Sequence, residues 1–205
     1  QATGQGRRAH AAQGRVVSTG AADESRAVRS GEELDIAAVD AWLKGELPSL
    51  QGMPQVTQYA GGASNWTYRL QYTNDDLILR RPPAGTKAKS AHDMGREYRI
   101  QQALKPVFPL VPQMRAHCED ASVIGSEFYV MQRLAGIIPR KNLPRGVELP
   151  PERVRLLCTN VLDTLIALHR VDHRAAGLEG IGKGAGYAQR PIEGTVLYGC
   201  LTFSS

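Results

Sequence analysis

A chain of 205 residues with 42% apolar and 22% charged content has room for one ordinary domain or two small ones around a sizeable core. Its net charge of +5 is scattered, with no stripe of Lys and Arg interleaved with stacking aromatics, which argues against a nucleic-acid binder. Cys118, Cys158 and Cys200 are odd in number and lack C-x-x-C spacing, so neither a disulfide framework nor a zinc site is expected, and no apolar run approaches the roughly 18–20 residues of a membrane span.

Residues 1–32 are built from Ala, Gly, Gln, Ser and Arg without aromatics or an apolar period, and read as a disordered lead. Their arginines also suit an organelle transit peptide, against which Asp23 and Glu24 stand, so the expected location is cytoplasmic with a mitochondrial or other organellar alternative. From Glu33 to Leu47 an amphipathic helix is expected with Leu34, Ala38, Trp42 and Leu47 on one face, closed by Pro48. Short β-favouring runs at 56–59, 67–72 and 77–81, separated by Gly-Gly-Ala-Ser-Asn and Thr-Asn-Asp-Asp, predict an antiparallel meander, and Pro82-Pro83 ends it.

A second helix is expected over 91–104, with Met94, Tyr98, Gln101 and Leu104 in register and His92 and Asp93 as starters. Strands follow at 112–115 and 126–134, and then a long helix from Pro151 to about His169 with Val154, Leu157, Val161, Leu165 and Leu168 as an apolar stripe. The glycine-rich residues beyond it return to a β-like pattern near the end. The fold class is α+β.

Three features in this order suggest chemistry. The loop Tyr59-Ala60-Gly61-Gly62-Ala63-Ser64-Asn65 can bring backbone N–H groups close to an anion, because glycine has no Cβ to block the approach; a plain hairpin turn would use the same residues. The third strand ends in Leu77-Ile78-Leu79-Arg80-Arg81, and the next helix carries Glu97. A phosphate-covering loop, a strand-three cation and a helix glutamate that orients it form the kinase arrangement. Strand alternation sends Arg80 and Arg81 to opposite faces; Arg80 is the favoured cation and Arg81 the competitor, with solvated edge arginines as the bland alternative. The strand Phe128–Leu134 would then join two lobes, with backbone groups of Gln132, Arg133 and Leu134 for a purine and Met131 and Ile78 as its apolar wall, although plain core packing explains the same apolar residues.

YAGGASNWTYRL, LILRRPPAG, REYRIQQAL, SVIGSEFYVMQRLAG and LIALHRVDHRAAGLEG together resemble the aminoglycoside phosphotransferase superfamily, in the branch associated with acyl-CoA dehydrogenases. The resemblance spans about 34–192. It implies a kinase-like small lobe and hinge over 33–135, the start of a helical large lobe over 136–192, and an atypical tail over 193–205. It further implies ATP as cofactor, with Gly61, Gly62, Ser64, Asn65, Arg80, Glu97, Met131, Gln132, Arg133 and Leu134 around it, and a parent enzyme phosphorylating a hydroxyl of a small molecule, in this branch a hydroxyacyl metabolite.

The chain departs from the family at three places. Trp66 replaces a usual proline, and Gln132 replaces a usual acid. The H-G-D-x-x-x-x-N loop and later Asp that supply the catalytic base and the Mg²⁺ ligands do not occur in these 205 residues. His169-Arg170-Val171-Asp172 is a poor substitute, with an extra residue and no Asn four places on, so no catalytic or metal residue is assigned. The expectation is a truncated phosphotransferase domain without turnover, or else a nucleotide-binding regulator of pseudokinase type, with a protein partner covering the large-lobe helix. An alternative transcript, a gene-model error or a degraded gene would each account for the tail.

Overall fold

The computed structural model describes residues 25–59, 65–83, 93–137 and 148–181. Helix α1 runs Ile36–Glu46, followed by strands β1 (Gln55–Gln58), β2 (Trp66–Gln71) and β3 (Asp76–Arg81), helix α2 (Met94–Leu104), strands β4 (Met114–Cys118) and β5 (Phe128–Gln132), and helix α3 (Pro151–His169). The α+β class and every element expected within these residues are found. Each starts or stops within a few residues of where turn and capping chemistry puts it. Asp35 and Asp93 cap α1 and α2 by accepting from the N–H groups of Ala38 and Arg96, and Pro151 opens α3, where its missing N–H costs nothing.

The five strands form one antiparallel sheet in the order β1-β2-β3-β5-β4, so β5, the last strand among the described residues, fills the gap between β3 and β4. The pleat then gives the sheet two distinct faces. On one, Tyr68, Leu70, Leu77, Leu79, Phe128 and Val130 pack with Val39 and Leu43 of α1 into the main core. Trp42 meets Phe128 edge-on at 5.1 Å between ring centroids. The buried side of α1 is therefore centred on Val39 and Leu43, one residue round from the expected Ala38–Trp42 line. On the other face α2 sets Met94 and Tyr98 against Met114, Tyr129 and Met131.

One expectation is altered. Residues 25–32 were grouped with the disordered lead, yet Arg26 exchanges both backbone hydrogen bonds with Gln58 at 2.8 Å and Tyr68 donates its hydroxyl to the Glu32 carbonyl at 2.7 Å. Backbone pairing along the outer edge of β1 holds this segment without any apolar period. In α3 no residue is buried: Val154, Leu157, Val161 and Leu165 are all more than 40% exposed. The stripe is where periodicity puts it, and among the described residues nothing covers it.

Candidate functional site

Parity along β3 decides which arginine enters the cleft. Arg80 stands opposite Tyr129 on the α2 face, whereas Arg81 stands opposite Trp66 on the α1 face. Arg81 lays its guanidinium over the Trp66 ring at 4.8 Å from the centroid and donates to the Ile124 carbonyl at 3.1 Å. Trp66, the first residue of β2, is thus a packing partner on the far face, at a strand start where proline would also fit.

Arg80 reaches α2. Its Nη1 lies 3.2 Å from Glu97 Oε2 and donates to the Tyr129 hydroxyl at 3.1 Å, while that hydroxyl donates to Glu97 Oε2 at 2.9 Å. The other carboxylate oxygen, Oε1, accepts from Asn65 Nδ2 at 3.0 Å, and Gln101 Nε2 stands 3.4 Å from the Tyr129 oxygen. Glu97 is therefore a shared acceptor for the end of the glycine loop, strand β3 and strand β5. Burial pushes the Tyr129 phenol up to about 12, with the Arg80 charge pulling down and Glu97 pushing further up, so the phenol holds its proton and acts as a donor. Arg80 Nε is buried without a hydrogen-bond partner among the described residues, while the side chain as a whole remains 29% exposed.

At the other end of the same face, Arg69 makes a two-pronged bond to Asp76, at 2.8 Å for each prong. Arg133 adds a contact to Asp76 at 3.1 Å and donates Nε to the Tyr59 hydroxyl at 3.0 Å. Burial alone would raise the Asp76 carboxyl, but the two guanidinium groups outweigh it and hold the group below the usual carboxylate range. Ile78 pairs with Met131 between this cluster and Arg80.

Two of the backbone donors expected for a purine have protein partners: the N–H of Gln132 donates to the Gln113 carbonyl at 2.8 Å and that of Arg133 to the Asp76 carbonyl at 3.1 Å. Gly61, Gly62 and Ser64 lie outside the described residues. Among the described residues no group of three or more His, Cys, Asp or Glu could hold a metal ion. Asp172 accepts from the N–H groups of Arg174 and Ala175 in the turn after α3, a capping role, and Asp163 is exposed.

Sequence reasoning missed Tyr129, Asp76 and Tyr59 as parts of this arrangement. Only the alternation of Tyr129 with Met131 was readable; that this face meets Arg80 depends on β5 pairing with β3. Nothing local marks the Asp76–Arg133 pair, which closes over 57 residues of chain.

Comparison with known proteins bears on the family and the fold. The chain is 37% identical over 164 residues to rat (Rattus norvegicus) acyl-CoA dehydrogenase family member 11 and 38% identical over 170 residues to the chicken (Gallus gallus) protein, covering 78% and 80% of this chain. It is 35% identical over 170 residues to mouse (Mus musculus) family member 10, covering 82% of this chain. It spans only 21%, 21% and 16% of those relatives' own lengths. A crystal structure of a "putative aminoglycoside phosphotransferase" from Ralstonia eutropha JMP134 superposes with a TM-score of 0.63 at 30% identity, covering 84% of this chain and 49% of that one. The family model of the phosphotransferase enzyme family matches residues 55–198. The sheet, the opposed arginines and the α2 glutamate thus sit in a kinase-like α+β fold, and the chain belongs to the phosphotransferase enzyme family.

Proposed function

We propose that this domain binds ATP on the α2 face of its sheet and forms the nucleotide-holding part of an enzyme that phosphorylates a hydroxyl of a small molecule. The observation that carries the reading is Arg80, fixed by Glu97 and Tyr129 with its Nε still without a partner among the described residues. A guanidinium anchored to Glu97 and Tyr129 on a side chain that is still 29% exposed can meet a phosphate without first giving up its anchor. Gly61 and Gly62 would let backbone N–H groups approach the same phosphates, and Leu134, Met131 and Ile78 would hold the base. Mg²⁺, when bound with the nucleotide, would neutralise phosphate charge. The hydroxyacyl class of acceptor rests on similarity to acyl-CoA dehydrogenase family members 10 and 11.

Phosphoryl transfer depends mainly on positioning and charge stabilisation. These 205 residues carry no H-G-D-x-x-x-x-N segment, so binding without transfer is the expected behaviour of the chain. Calorimetric titration with ATP should show saturable binding that Arg80→Gln weakens by about tenfold or more, as expected for loss of a charged hydrogen-bonding group. An unmodified chain that does not bind ATP, or an Arg80→Gln variant that binds equally well, overturns the reading. Transfer of labelled γ-phosphate by the purified chain to water or to hydroxyacyl acceptors would overturn the expected lack of turnover. The regulatory alternative, in which binding itself is the output, draws on the exposed stripe of α3 as a surface for a protein partner.

A further inference from the structure

The loop expected to cover phosphates lies between two fixed points, and the structure shows what fixes them. Tyr59, at the start, donates its N–H to the Thr67 carbonyl at 3.0 Å and accepts from Arg133 on its hydroxyl. Asn65, at the end, is only 3% exposed and donates Nδ2 to Glu97 Oε1 at 3.0 Å. An ionised carboxylate only accepts, so the Asn65 amide must turn its nitrogen toward Glu97, and the orientation of the side chain is set by its partner. The two oxygens of Glu97 are divided: Oε1 takes Asn65, and Oε2 takes Arg80 and Tyr129.

We infer that Asn65 is a positioning residue for Glu97: by holding Oε1 it clips the start of β2 to α2, so that Asn65, Glu97 and Arg80 set together as one unit. Beside any contact with nucleotide, the geometry gives Asn65 a bond to the glutamate that orients the arginine. Any displacement of α2 that withdraws Glu97 from Arg80 also pulls on Asn65, because both bonds end on one carboxylate. The amide is needed for its chemistry as much as its size. A carboxylate at position 65 would put like charges at hydrogen-bonding distance, and a methyl group would leave Oε1 without this donor.

The inference rests on the ATP reading, and two measurements on the full chain keep the two separable. Titrations with ATP and with adenosine should show Asn65→Ala weakening ATP by about tenfold and Asn65→Asp weakening it further. Adenosine, which carries no phosphate, should change less than about twofold. Because Asn65 acts through Glu97, Asn65→Ala added to Glu97→Gln should cost less than about twofold more than Glu97→Gln alone. Equal losses for ATP and adenosine, or independent multiplying effects of the two substitutions, would overturn the clip.

Amide hydrogen exchange without nucleotide supplies the second measurement. Asn65→Asp should speed exchange in residues 94–98, and Glu97→Gln, approached from the other partner, should speed it in residues 65–67. Unchanged exchange in both variants overturns the clip whether or not ATP binds. If the unmodified chain fails to bind ATP while both exchange effects appear, the clip stands and the nucleotide reading falls.

Discussion

Replacing Gly95 with alanine should destabilise the lobe, although the same change in most helices stabilises it. Gly95 sits in the first turn of α2, where Gly→Ala ordinarily gains up to about 1 kcal/mol by limiting the unfolded backbone and raising helix propensity. Here an added Cβ would lie 2.9 Å from Glu127 Oε1 and 3.2 Å from His117 Cε1. The carboxylate cannot simply swing away, because the same oxygen lies 2.7 Å from His117 Nε2, and the His117 ring in turn stacks on Tyr98 at 5.1 Å. Breaking a hydrogen bond to a charged group costs about 1.5–3 kcal/mol, and the partial exposure of Glu127 favours the lower end. Subtracting the propensity gain leaves a net loss of about 1 kcal/mol. With Glu127→Ala as background the obstacle is gone, His117 is free to yield a few tenths of an ångström, and Gly95→Ala should become stabilising by about 0.5–1 kcal/mol. Urea unfolding followed by the fluorescence of Trp42 and Trp66, both within the lobe, measures all four variants of the cycle. A stabilising Gly95→Ala in the unmodified background, or the same effect in both backgrounds, would refute the reasoning.

The buried phenols set the alkaline limb of stability. Tyr68, Tyr72, Tyr98 and Tyr129 are all raised, each chiefly by burial, so the folded chain keeps protons that the unfolded chain releases above pH about 10. Stability should therefore be full below that pH and fall toward pH 12 by up to about 1.4 kcal/mol per unit for each phenol; Tyr129→Phe should flatten the slope, and an unchanged slope would refute its share. At the acid end the sign reverses. Asp76 is held low by Arg69 and Arg133, so its contribution is present above pH about 4 and lost as pH falls through the lowered value, and Asp76→Asn should flatten the acid limb of a urea-midpoint profile. On α3, Leu157→Glu and Val161→Glu should change lobe stability by less than about 0.5 kcal/mol while reducing dye binding and self-association, because both side chains are exposed. A large loss of stability would show that the helix is buried in solution.

Much of the site was legible because it depends on local rules. Asp93 in front of an apolar-periodic run marks the start of α2, which fixes the turn that carries Glu97, and parity on β3 separates Arg80 from Arg81. The strand order was not legible: nothing in FYVMQ says that it enters between β3 and β4 rather than at an edge. Once it does, Tyr129 lands opposite Arg80 and Arg133 beside Asp76, which is why those partners could not be named beforehand. The apolar stripe of α3 was legible as a pattern, but periodicity records a need for cover and does not say where the cover comes from. Similarly, nothing beside Asn65 in the chain announces that it donates to a carboxylate 32 residues away.

The late arrival of β5 has a consequence for synthesis. As the chain leaves the ribosome, β1, β2 and β3 can pair by hairpins in order, while the outer rim of β3, with Leu77, Ile78 and Leu79, stays open until residues 128–132 emerge. An open apolar rim of this kind invites pairing with other nascent chains, so a translational pause between about residues 81 and 132 would be the hazardous one. Tyr129 arrives on that same strand, so the network around Arg80 and the closure of the rim are completed in one step.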